Sequence, residues 1–99
     1  MRHTVQSTGG TSFHGTTIFA SVNDLIGILG EPRYVDNSGT DKTTHEWEME
    51  TDDGDVFTVY DWKEYRSIDS DEEIEWHIGG MSEMITTQAK HEIMACKLL

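Results

Sequence analysis

The sequence predicts an α+β fold: a single small domain with an antiparallel β-sheet of about four strands and two helices, in the order β-α-β-β-β-α. Three observations lead there. An apolar period of helical spacing, closed by capping residues at both ends, marks a helix near residue 25, and a second such period marks the C-terminal segment. Two strand-like segments joined through Asp53-Gly54 mark a hairpin, and 99 residues suffice for one core but not for two.

Residues 1 to 11, rich in Ser, Thr and Gly, are expected to form a flexible N-terminus, with residues 12–99 as the domain. Thr16 to Ala20 is β-branched and aromatic and reads as a short strand. Ser21 then caps a helix. Asp24 stands three residues on, where a capping box has Glu, and Val22, Leu25, Ile26 and Leu29 recur at helical spacing. Gly30 and Pro32 end it. Residues 33 to 43, RYVDNSGTDKT, carry turn chemistry without period and read as a connecting loop.

In THEWEMET, Glu46, Glu48 and Glu50 alternate with His45, Trp47, Met49 and Thr51, and DVFTVYDWK is strongly strand-prone. A two-residue type I′ loop at Asp53-Gly54 would set Thr51 against Val56, Met49 against Thr58 and Trp47 against Tyr60, with Trp62 on the same core face. Phe57 and Val59 would then point outward with the glutamates, Asp61 and Lys63, and would need cover from a helix, a second copy or a bound partner. A one-residue slip of register would exchange the two faces. EYRSIDSDE reads as a polar loop. EIEWHI reads as a strand with Ile74, Trp76 and Ile78 inward and Glu73, Glu75 and His77 outward. Ser82 starts the last helix, on which Ile85, Ala89, Ile93 and Cys96 form an apolar stripe, so Cys96 is expected to be an inert core thiol.

Nineteen acidic residues against seven basic give a net charge of −12, which repels nucleic acid and anionic membranes and suits either solvation or a basic partner. One cysteine and no zinc-type spacing point to a reducing, cytoplasmic setting. The N-terminus has no apolar run of signal-peptide length, and no stretch approaches a membrane span, so an unexported protein without membrane contact is expected. The five histidines make no HxxxH or HxH pair, and DSDEE departs from a calcium loop at Ile74 and Gly80, so neither a metal nor a cofactor is expected.

The candidate contact residues follow from this layout. Gly79-Gly80 ahead of Ser82 would leave backbone N–H groups open at a helix start, where an anion such as phosphate is favoured; equally, the glycines would only let the chain turn. His77, Asp61 and Lys63 would share the outer sheet face, with Glu46 opposite Asp61, as a polar cluster or as ordinary surface bridges. Trp62 is one of four aromatics expected in the core, with Trp47, Tyr60 and Trp76, any of which can reach a pocket edge and stack a base. Arg33, Tyr34, Tyr65 and Arg66 lie in predicted loops, where such side chains meet ligands. No serine or cysteine stands beside Asp61 and His77 as a nucleophile, so catalysis is not expected.

LGEP (Leu29 to Pro32), DKTTHEW, TVYDWK (Thr58 to Lys63) and EWHIGG (Glu75 to Gly80) occur here in an order and spacing that resembles a family of small bacteriophage proteins of about a hundred residues and unassigned function. The resemblance runs from about Gly15 to Gly80. It implies a phage origin and expression in the cytoplasm of an infected bacterium, not an activity; small early phage proteins often look like counter-defence factors, which occupy a host protein or sequester a nucleotide signal. Two binding readings accord with it. In the first, a homo-oligomer sequesters a phosphate-bearing nucleotide signal through Gly79, Gly80, His77, Lys63 and the loop arginines. In the second, an acidic nucleic-acid mimic of anti-CRISPR or anti-restriction type docks on a basic host protein through Glu46, Glu48, Glu50, Asp69, Asp71, Glu72 and Glu73.

Overall fold

The structure, a computed structural model, describes residues 1–36 and 43–97. Most of the expected loop of residues 33 to 43, with Asp41 and Lys42 of DKTTHEW, and the last two leucines lie outside the described residues. In chain order the elements are β1 (Arg2–His3), β2 (Ser12–Ala20), α1 (Val22–Leu29), β3 (Tyr34–Val35), β4 (His45–Glu50), β5 (Val56–Tyr60), β6 (Ile74–Gly80) and α2 (Glu83–Lys97). The fold is α+β, with six strands where about four were expected. The two short ones pair along the same edge of β4, in a sheet ordered β1-β4-β5-β6-β2 and antiparallel throughout.

Ser21 starts α1 with a full capping box: its hydroxyl accepts from the Asp24 N–H, and the Asp24 carboxylate accepts from the Ser21 N–H. At the other end Gly30, at φ 84°, donates its N–H to the Ile26 carbonyl. Helix α2 packs across β2, β6 and β5, and α1 packs on α2, so both helices cover one face of the sheet. Between them lies the core: Leu25, Trp47, Met49, Phe57, Val59, Trp76, Ile78, Ala89 and Ile93 are all buried. The two buried indoles keep their polar edges satisfied, Trp47 Nε1 donating to the Gly30 carbonyl and Trp76 Nε1 to the Ala20 carbonyl, each at 2.8 Å.

The hairpin register departs from the expected one by a single residue. Glu46 faces Tyr60, Trp47 faces Val59 and Met49 faces Phe57. The cause is the turn. Thr51 donates its N–H to the Asp55 carbonyl and accepts at its own carbonyl from Gly54, so the loop is Asp52-Asp53-Gly54, three residues long, with Gly54 in the left-handed region at φ 86°. One extra loop residue reverses the faces of β5. Phe57 and Val59 therefore lie in the core, and of the three expected sources of cover it is the helical side of the chain itself that supplies it, not a second copy or a partner.

Other segments differ from expectation as well. Residues 1 to 4 are tied to the body: Arg2 and His3 pair with Glu50 and Met49, and the Met1 ammonium meets Asp52 at 2.6 Å. Tyr34–Val35, expected in a loop, pairs with β4. Within the predicted polar loop after β5, Ile68 joins the core. On α2, Thr86 is buried with Ala89 and Ile93, while Cys96 is exposed and not a core thiol.

Candidate functional site

With both helices on one side, the other face of the sheet has no helix over it among the described residues. Strand alternation decides what that open face displays. From β4 come Glu46, Glu48 and Glu50, from β5 Thr58 and Tyr60, from β6 Glu75, His77 and Gly79, and from β2 Phe13, Thr17 and Phe19. Trp62, just beyond β5, continues the Tyr60 side.

Four rings meet there. Phe13 lies flat on His77 with centroids 4.0 Å apart, and Tyr60 stands edge-on to His77 at 5.6 Å and to Trp62 at 6.3 Å. Trp62 and His77 are nearly parallel, 24° apart in plane with centroids at 6.4 Å. Both Phe13 and Trp62 remain 43% exposed. Burial holds His77 below the usual histidine value despite the opposing charge of Glu75, which keeps it a neutral ring at pH 7.

Carboxylates flank the rings. Glu46 stands directly across from Tyr60, and burial together with the charge of Glu48 raises it above the usual glutamate value. Tyr60 is pushed up by burial and by the charge of Glu46. Crowded like charges of this kind favour a cation. Lys63 lies beside the rings instead, its Nζ 5.6 Å from the Trp62 centroid, and forms no ion pair among the described residues. Glu50, at the far end of the row, is taken by Arg2 and held below its usual value, first by a hydrogen bond from Thr4.

The sequence-predicted residues divide accordingly. His77, Trp62 and Lys63 are brought together. Tyr60, expected in the core, lies with them because of the changed register. Asp61 does not: it points inward with Phe57 and Val59 and is fully buried. There its Oδ1 accepts from the N–H groups of Thr44 and His45 at 2.7 and 2.9 Å, and its Oδ2 accepts from the Thr44 hydroxyl at 2.9 Å. That hydroxyl has one hydrogen, so His45 Nδ1, 2.8 Å away, donates to the hydroxyl oxygen. The group fastens the start of β4 to the end of β5.

Gly79 and Gly80 are strand residues, flanked by β5 on one side and β2 on the other, so their backbone groups belong to the ladder and not to a helix start. Arg66 is held by Glu72 through two bonds of 2.8 and 2.6 Å, with Glu64 at 3.5 Å. Tyr65 is exposed with φ 50°, in the same turn as Lys63 at φ 56°. Arg33 donates its N–H to the Glu46 carbonyl beside β3. In the loop from Asp69 to Glu73, Asp71 accepts from the Asn23 side chain at the start of α1.

Sequence reasoning missed Phe13, which it placed before the first strand; its aromatic type next to a β-branched run was the available signal. Elsewhere, a groove of about 350 Å³ lies between β2 and α2, lined by Phe19, Met94, Lys90, Lys97 and Glu73 among others, with Lys97 Nζ donating to the Phe19 carbonyl at 2.9 Å. Among the described residues no group of three or more His, Cys, Asp or Glu is arranged to hold a metal, and no helix is long and apolar enough to cross a membrane. Compared with protein-family models, with curated proteins and with solved structures, the chain matches none of them.

Proposed function

We propose that this protein is a non-catalytic binding protein whose open sheet face docks on a basic protein surface, setting its carboxylates where nucleic-acid phosphates would otherwise lie. The observation that carries this reading is the pairing of Glu46 with Tyr60 on a face where exposed aromatics adjoin Glu46 and Glu48, neither of which forms an ion pair among the described residues. Aromatic anchors ringed by charge are what protein interfaces use, and the net charge of −12 steers a basic partner towards them. The resemblance to small phage proteins supports a counter-defence setting in the cytoplasm of an infected bacterium.

The test is binding to purified nucleic-acid-binding host proteins at low and at high salt, with duplex nucleic acid as competitor. A partner should be displaced by the nucleic acid, should bind more weakly at high salt, and should lose affinity for the Glu46→Gln/Glu48→Gln double variant. Binding indifferent to salt and to both substitutions would sink the idea.

Sequestration of a nucleotide retains one supporting observation, the near-parallel rings of Phe13, His77 and Trp62 that can stack a base. Against it stands the charge: among the described residues Lys63 is the cation placed on the cluster, while Arg66 is engaged by Glu72. Thermal shift against linear and cyclic nucleotides separates the readings, since only a ligand of the native state raises the melting temperature.

A further inference from the structure

We propose that the open face contains a subsite for a partner's arginine side chain, formed by the ring of Trp62 beside Tyr60 and Glu46, and that Lys63 occupies it in the free protein. The inference rests on the docking reading above and names the group by which the partner is held.

Trp62 already draws a cation. The Lys63 ammonium lies 5.6 Å from the centroid of its ring, yet Lys63 forms no ion pair among the described residues. Reaching that position has a conformational cost, because Lys63 and then Tyr65 take left-handed backbone that non-glycine residues rarely adopt. The turn is held from both sides, by the buried Asp61 before it and by the Arg66–Glu72 pair after it. A strained turn that delivers a cation to an exposed indole, on a face otherwise rich in carboxylates, marks a place built to receive positive charge.

Arginine fits this place better than lysine. A guanidinium is planar, stacks on ring faces, sheds water readily and forks onto carboxylates, whereas an ammonium is a compact, strongly hydrated point charge. The indole of Trp62 and the nearly parallel imidazole of His77 offer planar faces, and Tyr60 stands edge-on to both. Glu46, across the ladder from Tyr60, supplies the carboxylate that Lys63 does not engage.

The experiment compares oligo-arginine and oligo-lysine peptides of equal length by calorimetry, with wild type, Trp62→Ala and Lys63→Gly, the last keeping the left-handed backbone without strain. Circular dichroism checks that each variant folds. Wild type should bind oligo-arginine about fivefold tighter than oligo-lysine, and Trp62→Ala should abolish the difference. Lys63→Gly should tighten oligo-arginine about threefold, by removing the competing ammonium. Equal affinity of wild type for the two peptides, or no response to Lys63→Gly, overturns the arginine subsite while leaving the docking face standing. Absence of binding by either peptide at low salt overturns both.

Discussion

A Cβ on Gly79 would stand 2.6 Å from the Thr58 hydroxyl oxygen across the β5–β6 ladder, closer than real Cβ contacts allow. The glycine is thus required by its neighbour, and not by a turn. Gly79→Ala should lower stability by roughly 1–3 kcal/mol, the range for overpacking. Thr58→Ala should restore most of the loss, because the remaining contacts, Tyr60 and the Ser12 carbonyl at 3.5 Å, are ordinary. A double-mutant cycle by urea denaturation measures this, and simple additivity would refute it.

Asp61 is the acceptor for three buried donors on Thr44 and His45. Asp61→Ala leaves the two backbone N–H groups without a partner, while the Thr44 hydroxyl turns to His45 Nδ1, and should cost roughly 3 kcal/mol. Asp61→Asn should cost less, since its carbonyl oxygen can still take the two backbone N–H groups while its amide nitrogen meets the Thr44 hydroxyl. Equal losses for both variants would mean that packing at this site outweighs hydrogen bonding.

Burial holds His45 and His77 below the usual histidine value of 6.5, with Asp61 and Glu75 opposing. In the unfolded chain these rings take up protons near 6.5, while in the folded chain they resist, so the unfolded state binds more protons below that value. Stability is therefore complete above about pH 7 and declines as pH falls through 6.5 towards the folded values. The slope has a ceiling of about 1.4 kcal/mol per pH unit for one histidine. Denaturation between about pH 7.5 and 5.5 should show the decline, and His45→Gln should flatten it. Stability that rises on acidification in that window would contradict the assignment.

Phe57 is fully buried against the helices. Phe57→Ala should cost roughly 3–5 kcal/mol, the range for an emptied aromatic site. Its neighbour Thr58 lies on the opposite face, and Thr58→Ala should cost far less. A small loss at Phe57 would favour the two-residue turn and its exchanged faces.

What was legible from residue order was whatever depends on neighbours a few positions apart. Helix α1 follows from Ser21, Asp24 and the apolar period, because a capping box and a helical face are local. The alternation within β4 and β6 is local too, which is why Trp47 and Trp76 were placed inward and Glu46, Glu48 and His77 outward, all as observed. The acidic character of the open face came with it.

Only the tertiary structure decided how those segments meet. Asp53-Gly54 is compatible with loops of two or three residues, and the hydrogen bonds of Thr51 with Gly54 and Asp55 select three. Because side chains alternate with a period of two, that one residue sends Phe57, Val59 and Asp61 to the core and brings Tyr60 and Trp62 to His77. The same holds for residues whose partners are distant in sequence. Gly79 answers to Thr58, Asp61 to Thr44, and Phe13 reaches His77 because β2 extends to Ser12 beside β6. Local pattern settles which residues share a face, whereas pairing settles which faces touch, and the candidate site exists only at that second level.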